Sequence, residues 1–199
     1  MTVTRTATLS RKTGETDVAL TLGLSGSGAG TRETGVGFFD HMLDLLARHG
    51  RLDLDVKVTG DLQTGSHHTV EDTGIVLGQA LDQALGDRRG IVRYGHAVVP
   101  MDESRAACAL DLSGRPFCTV EGLRPPPGAI AGFEHEAAEE FFRAVASGGR
   151  LTLHLDLQAG TNAHHMIEAC FKAFARALRV AVSVDPDEAG VPSTKGTLT

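Results

Sequence analysis

The sequence predicts an α+β protein made of two similar halves by internal duplication, each half a sheet with helices on one face. Three observations predict it. Runs that alternate polar and apolar residues, such as LTLHLDL, read as strands. Longer runs with apolar residues three or four apart, such as GFFDHMLDLLARHG, read as helices. A motif, HHxxE, opens a helical run twice, as His67-His68-x-x-Glu71 and His164-His165-x-x-Glu168, 97 residues apart. The same shift carries Val70, Gly74, Leu77 and Leu81 onto Ile167, Phe171, Phe174 and Leu178. Both sets run i, i+4, i+7, i+11, the stripe that a helix buries. A motif repeated on a repeated stripe is the mark of a duplicated unit. The halves are expected over residues 1–90 and 91–199.

Along the chain, residues 3–9 and 16–24 alternate and are expected to be strands. The stretch GLSGSGAG lacks the strand-then-helix setting of a phosphate-cradling loop, so a hairpin turn is expected. Residues 37–50 are expected to form a helix that buries Phe38, Met42, Leu45 and Leu46 and is closed by Gly50. A strand over 52–59, a Gly-Asp turn and a helix over 67–85 complete the first half. In the second half, strands are expected at 91–99, 106–113 and 117–123, and PPPG breaks the chain at 125–128. A helix over 136–149 ends at its glycines. A strand over 151–157 and a long amphipathic helix over 164–182 follow.

The 199 residues carry 19 Lys plus Arg against 25 Asp plus Glu, a formal net charge of −6. That balance argues against a nucleic-acid partner. No apolar run approaches the ~20 residues that span a bilayer, and the first residues have no signal-peptide core, so no membrane partner is expected. The three cysteines form no CxxC pair, which fits reduced thiols and a cytoplasmic location. Nine histidines, with two adjacent pairs, direct attention to metal or acid–base chemistry.

Imidazole and carboxylate are ligands of Mn, Fe, Zn and related ions. In HHxxE the second His and the Glu are i, i+3 and share a helix face, which leaves the first His to point elsewhere. A His pair facing two ways serves two sites. Mixed ligation with open positions favours Mn or Fe over a closed structural Zn site.

GFFDHML, GSHHTVEDTGIVLGQAL, PMDE, DLSGRP, HHMIEACFKAFARALR and PSTKG occur in that order. Through these segments the chain, from Arg11 to Leu198, resembles the imidazoleglycerol-phosphate dehydratase family of histidine biosynthesis. The resemblance implies a hydro-lyase that converts imidazole glycerol phosphate to imidazole acetol phosphate and water through a metal-bound imidazolate. It implies a duplicated fold like domain 2 of ribosomal protein S5 and two Mn ions per active site. It also implies a homo-oligomer of twenty-four subunits with sites between them. One metal would take His41, His68, Glu71 and His164; the other His67, His165, Glu168 and Glu140. Many relatives carry His at the last of these positions, and Glu140 occupies the place that matches His41 in the first half. Arg93, Arg115, Ser193 and Lys195 match phosphate-binding positions, and Arg forks with a Lys point charge suit a dianion. His49 and Lys172 match substrate contacts. Glu15 matches an acid–base residue that also touches substrate, and Glu71 and Glu168 complete the implied catalytic set. His96, His135 and His154 match no functional position. The competing class is a dinuclear phosphate-ester hydrolase, which would release inorganic phosphate instead of a ketone.

Overall fold

A computed structural model describes residues 5–198. The first half contains β1 (Thr6–Lys12), β2 (Thr16–Gly23), β3 (Arg32–Glu33), α1 (Gly37–Gly50), β4 (Asp53–Gly60) and α2 (His67–Leu85). The second contains β5 (Tyr94–Met101), β6 (Ser104–Asp111), β7 (Phe117–Glu121), the short pair β8 (Ala129–Ile130) and β9 (Phe133–Glu134), α3 (Ala137–Gly148), β10 (Thr152–Ala159) and α4 (Ala163–Ala181). The two main sheets have matching strand orders, β1-β2-β4-β3 and β5-β6-β10-β7. In each, the last pairing is parallel and the others antiparallel. The duplication therefore extends from motif to topology.

Alternation decides which face of each sheet is covered. Leu54, Val56 and Val58 of β4 are buried while Asp53, Asp55 and Lys57 are exposed. The helices cover the apolar faces, and one continuous core runs through both halves. α2 packs on α3, and α1 on α4. Both pairs run in the same direction. A Cβ at Gly74 would point at Phe141 and Ala144, and one at Gly78 at Val145 and Gly148–Gly149. In the other pair the Phe38 ring lies 4.9 Å from the His164 ring, while Gly50 faces the Ala175 carbonyl. Helix starts therefore sit side by side, His41 beside His164.

Several elements depart from expectation. The first expected strand begins within residues 1–4, outside the described residues; β1 runs to Lys12. Residues 24–31 are not a hairpin turn. β2 pairs with β4, so this segment crosses the end of β4 and starts β3 on its far side. Asp53 Oδ1 accepts the backbone N–H groups of Ser27 at 2.8 Å and Ala29 at 3.0 Å, and these hold its carboxylate below the ordinary range. Gly30, at φ +110°, is required because a Cβ there would lie 2.2 Å from the Leu54 carbonyl oxygen. In α1 the buried face is carried by Phe39 and Leu43 with Phe38, Met42 and Leu46, and Leu45 is only partly buried. Gly50 is its last helical residue, and the left-handed cap is Arg51, at φ 52°. β5 starts at Tyr94, not at residue 91, because Arg93 has φ 75° and Ile91 forms only an isolated bridge to Val184. The β8–β9 hairpin is an insertion with no counterpart in the first half.

The C-terminal segment is tied down. Arg88 is buried, donates to the Leu198 carbonyl at 3.0 Å and pairs with Asp82. Gly90 N–H donates to the Gly190 carbonyl at 2.8 Å, and Arg93 Nη1 to the Pro192 carbonyl at 2.7 Å. A tail without such anchors frays.

A side chain at position 78 must push α2 off α3, since a Cβ there would lie 2.6 Å from the Val145 oxygen. Overpacking of this kind costs about 1–3 kcal/mol, so Gly78→Val should lower Tm by roughly 2–10 °C. Gly37→Ala, where a Cβ meets nothing within 4 Å, should not. Thermal unfolding followed by circular dichroism reads both, and an unshifted Tm for Gly78→Val would rule out the close helix contact.

Candidate functional site

The starts of α1 and α4 bring His41, His164 and Glu168 together. One ligand atom from each lies within 4.8 Å of the others. Glu168 Oε2 is 2.9 Å from His164 Nε2 and 3.4 Å from His41 Nε2. Lys172, one turn on, places its Nζ 2.5 Å from Glu168 Oε1. The lysine thus occupies one oxygen and leaves the other between two imidazoles. Burial alone would raise the Glu168 pKa, but Lys172 and His164 hold it below the ordinary carboxylate value. Two imidazoles and one carboxylate form a donor set suited to a divalent transition ion.

In each motif the first histidine, not the second, meets the glutamate. His67 Nε2 is 3.8 Å from Glu71 Oε2, an i, i+4 contact like that of His164 with Glu168. The second histidines turn toward acids outside their helix. His68 Nδ1 lies 3.0 Å from Asp61 Oδ2, and its Nε2 is 3.7 Å from Glu15 Oε1. His165 Nδ1 lies 2.7 Å from Glu103 Oε2, and its Nε2 is 3.6 Å from Asp102 Oδ2. Asp61 raises the His68 pKa, and Glu103 raises that of His165. Glu103 also accepts the N–H groups of Asn162 at 2.9 Å and Thr161 at 3.1 Å. These bonds with His165 hold it far below the ordinary carboxylate value. Glu15 and the Asp102–Glu103 pair sit in the hairpin joining the first two strands of each half, but Asp61, the nearer partner of His68, follows β4, so the two halves orient the second histidine from different places.

Within one chain, Glu168 joins His41 and His164 instead of His67 and His165. His68 and Glu71 are not gathered to His41. Glu140 lies one turn before Ala144, which meets Gly74, and Glu71 lies one turn before Gly74. The parallel register therefore puts Glu140 level with Glu71, as His41 is level with His164. Glu139 is occupied by Arg143, at 2.5 Å, and by Arg124, at 3.5 Å. Among the described residues, Glu140 has no such partner.

Arg93, Arg115, Ser193 and Lys195 line one cavity of about 650 Å³. Arg93 is fixed there by Asp111, at 2.7 and 3.0 Å, and by the Pro192 carbonyl, and its ion pair raises its pKa. His49 lies beside Lys172 and Arg176; burial, then these cations, push its pKa below the ordinary histidine value.

The sequence left Asp61 and Glu134 unremarked, and it placed Asp102 and Glu103 of PMDE outside catalysis, as residues that orient a loop or a ligand; Glu103 does hold His165. Glu134, on β9, accepts the Ser66 N–H at 2.8 Å and also the Ser66 hydroxyl. Ser66 is buried at the start of α2 and does not cap its own helix. The inserted hairpin therefore holds the helix start that carries His67 and His68. By contrast, α4 has its own cap: Asn162 Oδ1 accepts from the His164 and His165 N–H groups at 2.9 and 3.3 Å. The partners of Glu134 and Glu103 lie 68 and 62 residues away, too far along the chain to be read from the sequence, whereas Asp61 reaches His68 across the short turn between β4 and α2.

Residues 34–178 match the family described as imidazoleglycerol-phosphate dehydratase. The chain is 57% identical over 195 residues to the imidazoleglycerol-phosphate dehydratase of Jannaschia sp. (strain CCS1), covering 98% of this chain and the whole of that protein. It is 53% identical over 196 residues to that of Oceanobacillus iheyensis, with 98% of this chain and all of that protein covered. Among solved structures, imidazoleglycerol-phosphate dehydratase from Staphylococcus aureus superposes with a TM-score of 0.81 at 39% identity, covering 90% of this chain and 99% of that one. The enzyme from Pyrococcus furiosus, in complex with (S)-C348, gives 0.79 at 35% identity, covering 96% and 100%.

Removing the Glu134 carboxylate leaves the buried Ser66 N–H without its acceptor, which costs about 1–3 kcal/mol. Glu134→Ala should therefore lower the denaturant midpoint, while Glu134→Gln, which keeps an acceptor oxygen, should retain most of it. Equal midpoints for wild type and Glu134→Ala would remove the hairpin from the support of α2.

Proposed function

The chain belongs to the imidazoleglycerol-phosphate dehydratase family, and from that premise we propose that it removes water from imidazole glycerol phosphate to give imidazole acetol phosphate in histidine biosynthesis. The observation that carries this reading is the His41–His164–Glu168 cluster with Lys172 at its edge, built from α1 and from α4, which opens with the second copy of the HHxxE motif. We assign His41, His67, His68, Glu71, Glu140, His164, His165 and Glu168 as ligands of two divalent ions per active site, with Mn²⁺ as the metal. Bound cations would supply the pull on the imidazole nitrogens that favours the imidazolate form and makes the neighbouring hydroxyl a better leaving group.

The chain's own residues do the rest. Glu15, within reach of His68, transfers the proton of the carbon chain. Glu71 and Glu168 hold their histidines in place, and Lys172 keeps one Glu168 oxygen neutralised. Arg93, Arg115, Ser193 and Lys195 bind the phosphate, and His49 touches the substrate from the end of α1.

Distance supports a homo-oligomer with shared sites. Arg93 N–H donates to the carbonyl of Ala181, near the far end of α4, whereas His164 is at its start. At 1.5 Å per residue that separation is about 25 Å. A substrate with three carbons between ring and phosphate cannot span it, so cluster and cavity serve one substrate only when they come from different chains. We assign the assembly to the family's twenty-four-subunit shell and its place to the cytoplasm; no helix among the described residues is long and apolar enough to cross a membrane. The two halves, residues 1–90 and 91–199, act as one catalytic unit.

Incubation of Mn-loaded protein with imidazole glycerol phosphate tests the activity directly. A ketone product supports the dehydratase, and release of inorganic phosphate supports the hydrolase instead. Glu140→Ala should lose most of one metal equivalent per subunit, and Glu140→His should retain it. Glu139→Ala, which breaks an exposed pair worth at most about 1 kcal/mol, should leave metal content unchanged. Full metal occupancy in Glu140→Ala would show that the second ion is held without this residue.

A further inference from the structure

At the ends of α1 and α4 remote from the His41–His164–Glu168 cluster, a cavity of about 410 Å³ opens against the backbone of Gly26 and Ser27. Arg48, His49, Arg51, Arg176 and Arg179 line it. Elsewhere most of the described arginines of this acidic chain are paired, as in Arg32–Asp44, Arg93–Asp111 and Arg143–Glu139, and those that are not, Arg5, Arg105 and Arg115, do not cluster with one another. Among the described residues, the four cavity arginines have no carboxylate within ion-pair distance. Asp53, behind the Gly26–Ser27 loop, spends one oxygen on the Ser27 and Ala29 N–H groups.

The duplication supplies an internal comparison. The 97-residue shift that relates α2 to α4 places Gln79 on Arg176 and Asp82 on Arg179. Arg51 and Arg150 correspond as well. Each follows the end of the first helix of its half, and they share left-handed φ values of 52° and 51°. Where α2 packs on α3, Arg150 Nη1 lies 3.6 Å from Asp82 Oδ2, and Arg88 pairs with the same carboxylate. Where α1 packs on α4, Arg179 stands in the place of that acid. The architecture that closes a salt bridge in one helix pair gathers cations in the other. Arg51 also holds a left-handed cap that glycine adopts at lower cost, so a charged side chain is kept there at some expense of backbone energy.

We propose that this cavity binds a small polyanion of the phosphate class. Clustered cations repel one another until an anion enters, and arginine forks match phosphate oxygens. The volume falls within the range of roughly 300–1,000 Å³ typical of small-molecule sites. The site shares no residue with the cavity of Arg93, Arg115, Ser193 and Lys195. It does not depend on the dehydratase reading, although His49 lies in both its lining and the assigned substrate contacts.

Calorimetric titration of inorganic pyrophosphate into the full chain at low ionic strength tests the proposal. An Arg115→Gln, Lys195→Ala double variant disables the other phosphate cavity and should still bind one pyrophosphate per chain. Adding Arg179→Asp supplies the pair that the α2–α3 contact already carries, so this variant should fold. It should weaken binding by about tenfold or more, as expected for loss of a charge-assisted contact and gain of a repulsive one. Arg51→Gln in the same background should weaken it to a smaller degree. The proposal is overturned by unchanged affinity on adding Arg179→Asp, or by no binding in the double variant. A change in sedimentation with Arg179→Asp in a protein that never bound pyrophosphate would assign the cavity to contacts between copies, and would also overturn it.

Discussion

Glycine at positions 74 and 78 lets the backbone of α2 approach that of α3 so closely that Val145, Gly148 and Gly149 leave no room for a Cβ. Because the two helices run in the same direction, a contact near their middles also sets the level of their starts. The pairing of α1 with α4 repeats this geometry. Each motif-bearing helix therefore opens beside the start of the other half's motif-free helix, and a residue there is level with the motif: His41 in one case, Glu140 in the other. Loosening either pair would separate side chains that lie far apart in sequence without touching any of them.

The two halves then support their motifs in different ways. In each, the first histidine stays with its glutamate, and an acid outside the helix restrains the second: Asp61, after β4, in one and Glu103, in the β5–β6 hairpin, in the other. The start of α4 is closed by Asn162 and Glu103, both local to the second half. The start of α2 instead depends on Glu134, from a hairpin inserted in the other half. The far helix ends diverge further: one keeps an Arg150–Asp82 pair and the other collects arginines. Duplication preserved the histidine-bearing end, while the opposite end was free to change.

Much of this was legible in the sequence. Periodicity placed the helices over 37–50 and 67–85, and the 97-residue shift predicted that the halves share a topology. Local pattern failed where tertiary geometry intervenes. The Gly-rich segment has the composition of a hairpin turn, yet it crosses β4 because Asp53 and Asp55 gather its N–H groups. Arg93 has ordinary strand neighbours, but its positive φ delays β5. In the motifs, i, i+3 and i, i+4 spacings are equally compatible with a helix. The choice fell to the first histidine because acids outside each helix, Asp61 after β4 and Glu103 in the β5–β6 hairpin, engage the second. Glu139 and Glu140 look alike as letters; Arg143 and Arg124, on the first, distinguish them.

Separation of the His41–His164–Glu168 cluster from the cavity of Arg93, Arg115, Ser193 and Lys195 is the constraint that links the fold to the proposed function. The protein carries both parts but holds them at opposite ends of α4, so the proposed reaction requires a neighbour. Subunit complementation measures this directly. His164→Ala and Lys195→Ala each remove one part and should be inactive as separate assemblies. Dissociated, mixed and reassembled, they should recover dehydratase activity, because some sites then combine an intact cluster from one chain with an intact tail from another. Mixed assemblies that form but remain as inactive as the parent variants would contradict the account, since they would place cluster and tail of each site on the same chain.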